Sequence, residues 1–464
     1  MGGFDALGIA ASGLAAHRRR IDVISENIVN ANTPGYHRQR VELSAIADSS
    51  LGVFSGRNET GGGVTYDQVS RLRDATLTAH ARHQSTVASE RALRLSVLER
   101  VEDVIGGFDE GGLHDQINAL FNSFDELASS PDDMAIRQIV LQRADALAQG
   151  FGRTTAALGQ LRDRAEADIE DAVRTINALT EQIATLDAEI LGSVNSNADP
   201  NTLLDQRDRK VRELAQLADV DVAEQANGQV SVTLDGELLV HNGRSTALAV
   251  EISTDPALSP LGYLKVAVAT AGGRELRVGG GSLGGNLEAA ATLVPDERRA
   301  IDALAAAIAD QVNTQHRAGA GLDGTAGRDL FVIVPGSGQL EVSPDLIDSP
   351  EKVAAAEHGA GTLDESNARI LAELGESPTG PAGLFAELVG KLGARVTTVR
   401  SASEASQAAS AQADALAQSA GGVSLDEELT DLLSSQRAYE ASARLITAID
   451  EMLQTLINTG LVGR

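Results

Sequence analysis

Apolar residues recur from the first turns of the chain at steps of three, four and seven: Phe4, Leu7, Ala11, Leu14, Ile21, Ile24, Ile28 and Ala31. This spacing predicts a single apolar stripe on a helix of about eight turns, broken once by Arg18. The stripe then runs into "NIVNANTPGYHRQRVEL", residues 27 to 43. There Pro34 forces Thr33 out of the helical region and Gly35 permits a turn. The helix must stop near Asn30 to Asn32, in an elbow. From Arg40 to Val69 no period is sustained, and with Gly61, Gly62 and Gly63 inside it the stretch reads as extended or loop structure.

Between Asp74 and Leu217 the 3.6-residue period dominates, with breaks at Gly106-Gly107, Gly111-Gly112, Ser130-Pro131 and Asn195 to Pro200. Leu113, Ile117, Leu120, Phe124 and Leu127 make one stripe. Ala165, Ile169, Ala172, Ile176, Leu179, Ile183, Leu186 and Ile190 keep the four-three spacing of a coiled coil. The period then falls to two. Val230, Val232 and Leu234 alternate with Ser231 and Thr233, Asp235-Gly236 supplies a hairpin turn, and two further alternating runs (Leu248, Val250, Ile252; Leu264, Val266, Val268) end at Gly279 to Gly281.

Helical pattern returns at Leu287 to Val312, yields to a Gly-rich loop around 318 to 328, and resumes from about Gly383. At the C-terminal end Leu425, Leu429, Leu432, Gln436, Tyr439, Ala443 and Ile446 step by four and three, and Ile449, Leu453 and Leu456 carry the stripe on. Ser424 and Glu427 stand at capping-box spacing, with Asp426 and Glu428 in the first turn where the helix dipole favours acids. The fold class expected is mainly α: a long helical bundle, paired N- and C-terminal coiled-coil helices, and a small inserted β domain. The domains expected are 1–32 with 425–464 for the terminal helices, 33–219 with 284–424 for the helical body, and 220–283 for the β insertion. Neither terminal stripe can be buried by its own helix, so the two are expected to pair with each other and with neighbouring subunits.

Composition sharpens this picture. At 464 residues the chain is long enough for two to four domains, and with 3% aromatics and no Trp its core must be built from Ala, Leu, Ile and Val. The net charge of −28 repels phosphate backbones and anionic lipid, so nucleic acid is not an expected partner. Without cysteine there is no disulfide, thiolate nucleophile or Cys-ligated metal. The basic cluster Arg18 to Arg20 follows the N-terminal apolar run, where a signal peptide would place it first, so the segment reads as mature sequence. No charge-free apolar run reaches the length of a membrane span.

Candidate chemistry is sparse. Gly279, Gly281 and Gly284 match the dinucleotide-binding spacing, but no second parallel strand follows the helix they open, so they read as a return from the β insertion. His80 and His83 lack a carboxylate at a matching step, and the pairs at Asp132-Asp133 and Asp450-Glu451 and the run Asp426 to Glu428 read as solvated or helix-capping acids. No enzyme, cofactor or metal chemistry is expected.

Two terminal strings then point to a family. "NIVNANTPGYHRQ" resembles the N-terminal motif of the axial proteins of the bacterial flagellum, which build rod, hook and junction, and "VSLDEELTDLLSSQRAYEASARLITAIDEMLQTLIN" resembles their C-terminal motif. The interior strings "SSPDDMAIRQIVLQRADAL", "NTLLDQRDRKVRELAQLADVDVAEQANGQVSV", "GSLGGNLEAA" and "QVNTQHRAGAGLDGTAGRDLF" are similar, in order, to the hook-associated protein 1 family of the hook–filament junction.

The resemblance implies that Asn27, Asn32, Thr33, Pro34, Gly35 and Tyr36 matter at the front and Gln436, Tyr439, Ala443 and Asn458 at the back. With these, the assembly interface is expected to comprise Leu7, Leu14, Ile21, Ile24, Ile28, Leu429, Leu432, Ile446, Ile449, Leu453 and Leu456. The resemblance also implies a structural, non-enzymatic role in an adaptor ring that lets flagellin assemble, and export through the flagellar type III apparatus to the outside of the cell. Its partners would be further copies of the chain, hook protein, a second junction protein and an export chaperone on the C-terminal helix. The family's larger members depart from this chain after Phe331, where only weakly patterned sequence precedes the next helix. Two alternatives remain at this stage: a hook or distal-rod protein, which would carry more β structure, and a secreted enzyme on a helical scaffold.

Overall fold

The computed structural model describes residues 2–46, 62–106, 111–253, 263–269, 273–335 and 337–461. Gly61, Gly107 and the link between the second and third alternating runs lie outside them, as do the side chains of Phe4, Leu456 and Asn458.

The chain is mainly α. Helix α1 (Gly2–Asn30) ends at the elbow, and an antiparallel hairpin of β1 (Gln39–Ala45) and β2 (Val64–Arg71) follows. Then come α2 (Ala75–Gly106), α3 (Leu113–Ser129), α4 (Met134–Asn195) and α5 (Asn201–Leu217), separated at the Gly, Pro and Asn breaks. Asp74 and Asp133 start α2 and α4 by accepting backbone N–H bonds at 2.8 Å from Thr76 and 2.7 Å from Ala135, the ordinary work of an N-cap acid.

The insertion builds two sheets. The first orders β3 (Asp221–Glu224), β4 (Val230–Leu234), β5 (Glu237–His241) and β6 (Arg244–Ser245) in sequence. The second joins β7 (Leu248–Ser253), β8 (Tyr263–Val268) and β9 (Glu275–Leu276). Asp235 and Gly236, at φ +50° and +77°, make the two-residue turn that the right-handed strand twist favours. All strand pairs among the described residues are antiparallel, so the glycines at 279, 281 and 284 have no Rossmann unit around them.

Helix α6 (Gly281–Glu288) starts earlier than the period predicts and passes through a π-turn (Ala289–Leu293) into α7 (Val294–Ala318). Pro295 has no N–H for the preceding turn, which accounts for the local widening. The stretch after Phe331, only weakly patterned in sequence, folds. It forms a hairpin of β11 (Phe331–Ile333) and β12 (Leu340–Val342), the pair of β10 (Gly319–Ala320) with β13 (Ala356–Glu357), and α8 (Ser366–Glu376), before α9 (Pro381–Gly421) and α10 (Leu425–Leu461). Buried polar side chains hold this region, which an apolar period cannot reveal. Asn313 donates to the Phe331 carbonyl at 2.8 Å and accepts from the N–H groups of Leu330 and Phe331, both at 2.9 Å. His316, fully buried, donates from Nδ1 to the Arg328 carbonyl and accepts from the Ala354 N–H at Nε2. Burial pushes its pKa down to about 4, which keeps it neutral in this tautomer.

Contacts divide the chain into two units, Met1–Ser85 with Ile176–Ala247 and Ala408–Arg464, and Thr86–Thr175 with Leu248–Gln407. The boundary at Ala247 separates the two sheets of the insertion. In the first unit α1 and α10 lie side by side, and the first sheet is tied to the helices by Asp187, a fully buried acid of α4 next to Leu186 of the coiled-coil stripe. Asp187 accepts from the Val230 N–H at 3.0 Å and from Arg207 of α5 at 3.4 Å. In the second unit α3 packs on α8, and Ile117, Leu120, Phe124 and Leu127 are fully buried as their stripe predicts.

Candidate functional site at the elbow and the terminal helices

The elbow is built around Asn27. It sits three residues before the end of α1, 1% exposed, and all its hydrogen-bonding capacity is used. Its amide nitrogen donates to the Gln39 carbonyl at 2.9 Å and to Glu428 at 3.0 Å, while its oxygen accepts from the Gln39 N–H and from the Tyr36 hydroxyl, each at 2.9 Å. One side chain thus fixes the end of α1, the start of β1 and the first turn of α10. Burial, and then the carboxylates of Glu26, Asp205, Glu428 and Asp199, raises the Tyr36 phenol above its ordinary range, so it remains a donor.

Glu428 corrects the sequence reading of the α10 acids as solvated or capping. Its side chain is 1% exposed, and besides Asn27 it accepts from Arg38 at 2.6 Å. Arg38 spreads its other contacts to Glu427 at 2.8 Å and Asp431 at 3.5 Å, and Arg20 of α1 reaches Asp431 at 3.0 Å. Only one of the three acids in the first turn is taken out of water, and it is the one with a charged partner and an amide to satisfy it. The Arg38 N–H also donates to the carbonyl of Gly421 at 2.8 Å. A Cβ on Gly421 would come within 2.6 Å of the Leu72 carbonyl, so the close approach of α9 to the hairpin requires glycine.

The turn itself is held from α5. Gly35 has φ +76°, and an added Cβ would lie 2.6 Å from Cγ of Arg209, whose guanidinium donates to the Pro34 carbonyl at 3.1 Å. Asp205 binds His37 Nδ1 at 2.8 Å and Arg71 at 2.6 Å, Asp208 binds Arg71 at 3.2 Å, and Asn201 donates to the Val69 carbonyl at 2.9 Å. Burial pushes the Asp208 carboxyl up, but Arg71, Arg73 and Arg207 together outweigh it and leave it below the usual carboxylate range. Sequence reasoning missed these α5 residues as part of the elbow. Their signal was the run of alternating charge from Asp205 to Lys210 inside a helix, with Asp205 and Arg207 on buried positions where charge is rare unless paired. Asn32, Thr33 and Pro34 are exposed; the Thr33 hydroxyl and N–H donate to Asn30, and its carbonyl accepts from the Tyr36 N–H at 3.1 Å.

The terminal helices run antiparallel: Gly13 comes up against Ser442, Arg20 against Asp431 and Asn27 against Glu428. Of the predicted seam, Ile24 and Ile449 are buried and Leu7, Leu14, Ile21, Ile28, Leu432, Tyr439, Ala443, Ile446 and Leu453 are half-buried. Gln436 and Leu429 face outward. Beside Ile24 and Ile449, the buried faces centre on Ala10, Ala16 and Val23 in α1 and on Glu428 and Ser435 in α10. The pair leaves several large apolar side chains uncovered among its exposed charged residues: Val29 is 81% exposed, Leu429 50% and Leu433 56%, with Leu425, Leu445 and Met452 similarly open. His80 and His83 are exposed on α2, and among the described residues no group of three potential ligands converges on a metal position.

Comparison with known proteins gives consistent results. Residues 98–331 match the family model described as the flagellar hook-associated protein FlgK helical domain, residues 415–459 the flagellar basal body rod FlgEFG protein C-terminal family, and residues 7–37 the flagella basal body rod protein family. Flagellar hook-associated protein 1 of Bacillus subtilis (strain 168) is 28% identical over 519 residues, covering 99% of each chain. That of Escherichia coli (strain K12) is 27% identical over 546 residues, covering 97% of this chain and 98% of the relative. A solved structure of the flagellar hook junction protein FlgK from Burkholderia pseudomallei aligns over 55% of this chain and 46% of its own, with 30% identity and a TM-score of 0.49.

Proposed function

Since this chain belongs to the flagellar hook-associated protein 1 family, structural proteins of the flagellum at the hook–filament junction, we propose that it forms an adaptor ring there and that the open apolar face of its terminal helices closes on neighbouring subunits. Hook protein lies on one side of the ring and a second junction protein on the other. Flagellin assembles beyond it, and the chain arrives through the type III export apparatus with a chaperone on α10. The terminal helices, 1–32 with 425–464, serve as the polymerising layer, 33–219 with 284–424 as the body, and 220–283 as the outer β part. No catalytic role is assigned.

The observation that carries this reading is the exposure of Leu425, Leu429 and Leu433 along one side of α10, at steps of four. Burying each leucine against a neighbour is worth about 1.5–3 kcal/mol, and repetition around a ring multiplies it. The elbow supports the reading by fixing where that face points: Asn27, Glu428 and Arg38 lock α10 to α1 and the hairpin. Because Leu432 is already half-buried within the monomer, the outward neighbours Leu429 and Leu433 give the cleaner test. Cells carrying Leu429→Asp with Leu433→Asp should export the protein, build hooks, lack filaments and release flagellin into the medium. Normal filaments in cells shown to export the variant would refute the proposal.

A further inference from the structure

The body carries a trough that the assembly reading does not use. One wall is a single face of α4: Gln138, Leu141, Asp145, Ala148 and Gly152 follow one another at steps of three and four along about 21 Å of helix. The other wall is β12 and the turn after it, and the space between is about 510 Å³. The floor is apolar, with Leu141, Ala148, Leu340 and Leu346 all buried. Ile347 stands 56% exposed on the lip, presented there by a turn in which Asp348 has the left-handed φ of +58°.

The polar groups around this floor are of two kinds. The side-chain amides of Gln138, Gln142 and Gln339 make no hydrogen bond to other described residues, although each can donate and accept. The titratable residues lining the trough are Asp145, Glu341 and Asp348, all acids and none in an ion pair with a described residue; Asp145 accepts from the Gln149 amide at 2.8 Å through one oxygen. Two bases near this wall are committed elsewhere: Arg137 donates to the carbonyls of Pro131 and Val353, and Lys352 to the carbonyl of Asp345.

From this geometry we infer that the trough is a docking site for an extended basic peptide segment of another protein. The apolar floor and Ile347 take alternate apolar side chains, the three free glutamine amides bond its backbone, and Asp145, Glu341 and Asp348 pair with its lysines or arginines. A length of about 21 Å accommodates about six extended residues. Alternation of side chains along an extended chain suits a site with a floor on one side and acids at the rim. A second copy of this chain is disfavoured as occupant by its own charge of −28.

The test uses the full-length protein and fluorescence anisotropy of a labelled hexapeptide of alternating lysine and valine. Controls are the same peptide with glutamate for lysine, and spermine, a polycation without backbone amides. The basic peptide should bind saturably at one site, the acidic peptide should not, and spermine should be a poor competitor. Asp145→Lys with Glu341→Lys, both exposed positions, should weaken binding at least about tenfold, as the loss of two ion pairs at a partly desolvated rim implies. Ile347→Ser should weaken it by about threefold to tenfold, the worth of one apolar anchor. Unchanged binding in the charge-reversal variant, equal competition by spermine, or no saturable binding up to about 1 mM would each overturn the assignment. So would sedimentation showing self-association that the charge reversal abolishes, since the occupant would then be a second copy.

Discussion

Replacing Asn27 by Asp is the sharpest probe of the elbow, because it changes one atom's chemistry and almost nothing of its shape. The nitrogen that donates to Gln39 and Glu428 becomes a carboxylate oxygen, so two donations are lost and two carboxylates face each other at 3.0 Å. At an effective dielectric of about 20 that repulsion is roughly 5 kcal/mol, and each buried acceptor left without its donor adds about 1–3 kcal/mol. Arg38, at 2.6 Å from the other oxygen of Glu428, offsets part of the repulsion. A net cost of at least about 4 kcal/mol follows, enough to open the local junction while leaving the rest of the chain folded.

Hydrogen exchange should report this opening as lost protection in the last turns of α1, in β1 and in the first turns of α10, with α3 and α8 unaffected. The double variant Asn27→Asp with Glu428→Gln decides the cause, since the new amide can donate to the new carboxylate. It should recover at least about 2 kcal/mol relative to the single variant, a coupling of the size expected between direct neighbours. If the double variant were no better protected than Asn27→Asp alone, the direct Asn27–Glu428 contact would not be what joins the helices.

Gly35→Ala should destabilise by about 1–2 kcal/mol from the left-handed backbone, plus the displacement of Arg209. In urea titrations Arg209→Ala should relieve only the second part. His316 sets a pH dependence. Its folded pKa of about 4 lies below the ordinary 6.5, so the unfolded chain binds the extra proton between these values. Stability from this group is therefore full above pH 6.5 and lost as pH falls toward 4, by up to about 3 kcal/mol. Urea melts at pH 7 and 4.5 should show a smaller difference for His316→Gln than for the parent. Excising residues 220–283, which the sequence alone presents as a separable insertion, should cost cooperativity in a circular dichroism melt. Without Val230 and Gly228, Asp187 and Arg207 lose partners inside the helical packing. Asp187→Ala should destabilise by about 3–5 kcal/mol for the same reason, because it leaves a buried charge with one fewer counter-ion.

The helices and their ends were legible in the sequence because each depends on neighbours a few residues away. The stripe from Ala165 to Ile190 and the breaks at Pro34, Ser130-Pro131 and Asn195 to Pro200 follow from period and backbone sterics, as does the turn at Asp235-Gly236. Asn27 and Tyr36 were singled out only through resemblance to a family, and Gly35 also as the residue that permits the turn. Their task was not legible, since it depends on Glu428, some four hundred residues along the chain, and on Arg209 and Asp205 in α5.

A buried acid and a solvated acid look alike in sequence: Glu427 and Glu428 are adjacent, and only the packing of α10 against α1 takes the second out of water and gives it Arg38 and Asn27 as partners. The stretch after Phe331 shows the same limit, because Asn313 and His316 organise it through hydrogen bonds that carry no hydrophobic period. Local sequence determined most of the long helices and where they stop, though not α8 or the start of α6. Tertiary structure decided which polar side chains are removed from water, because the desolvation cost of such a group is met only by partners that distant parts of the chain bring to it.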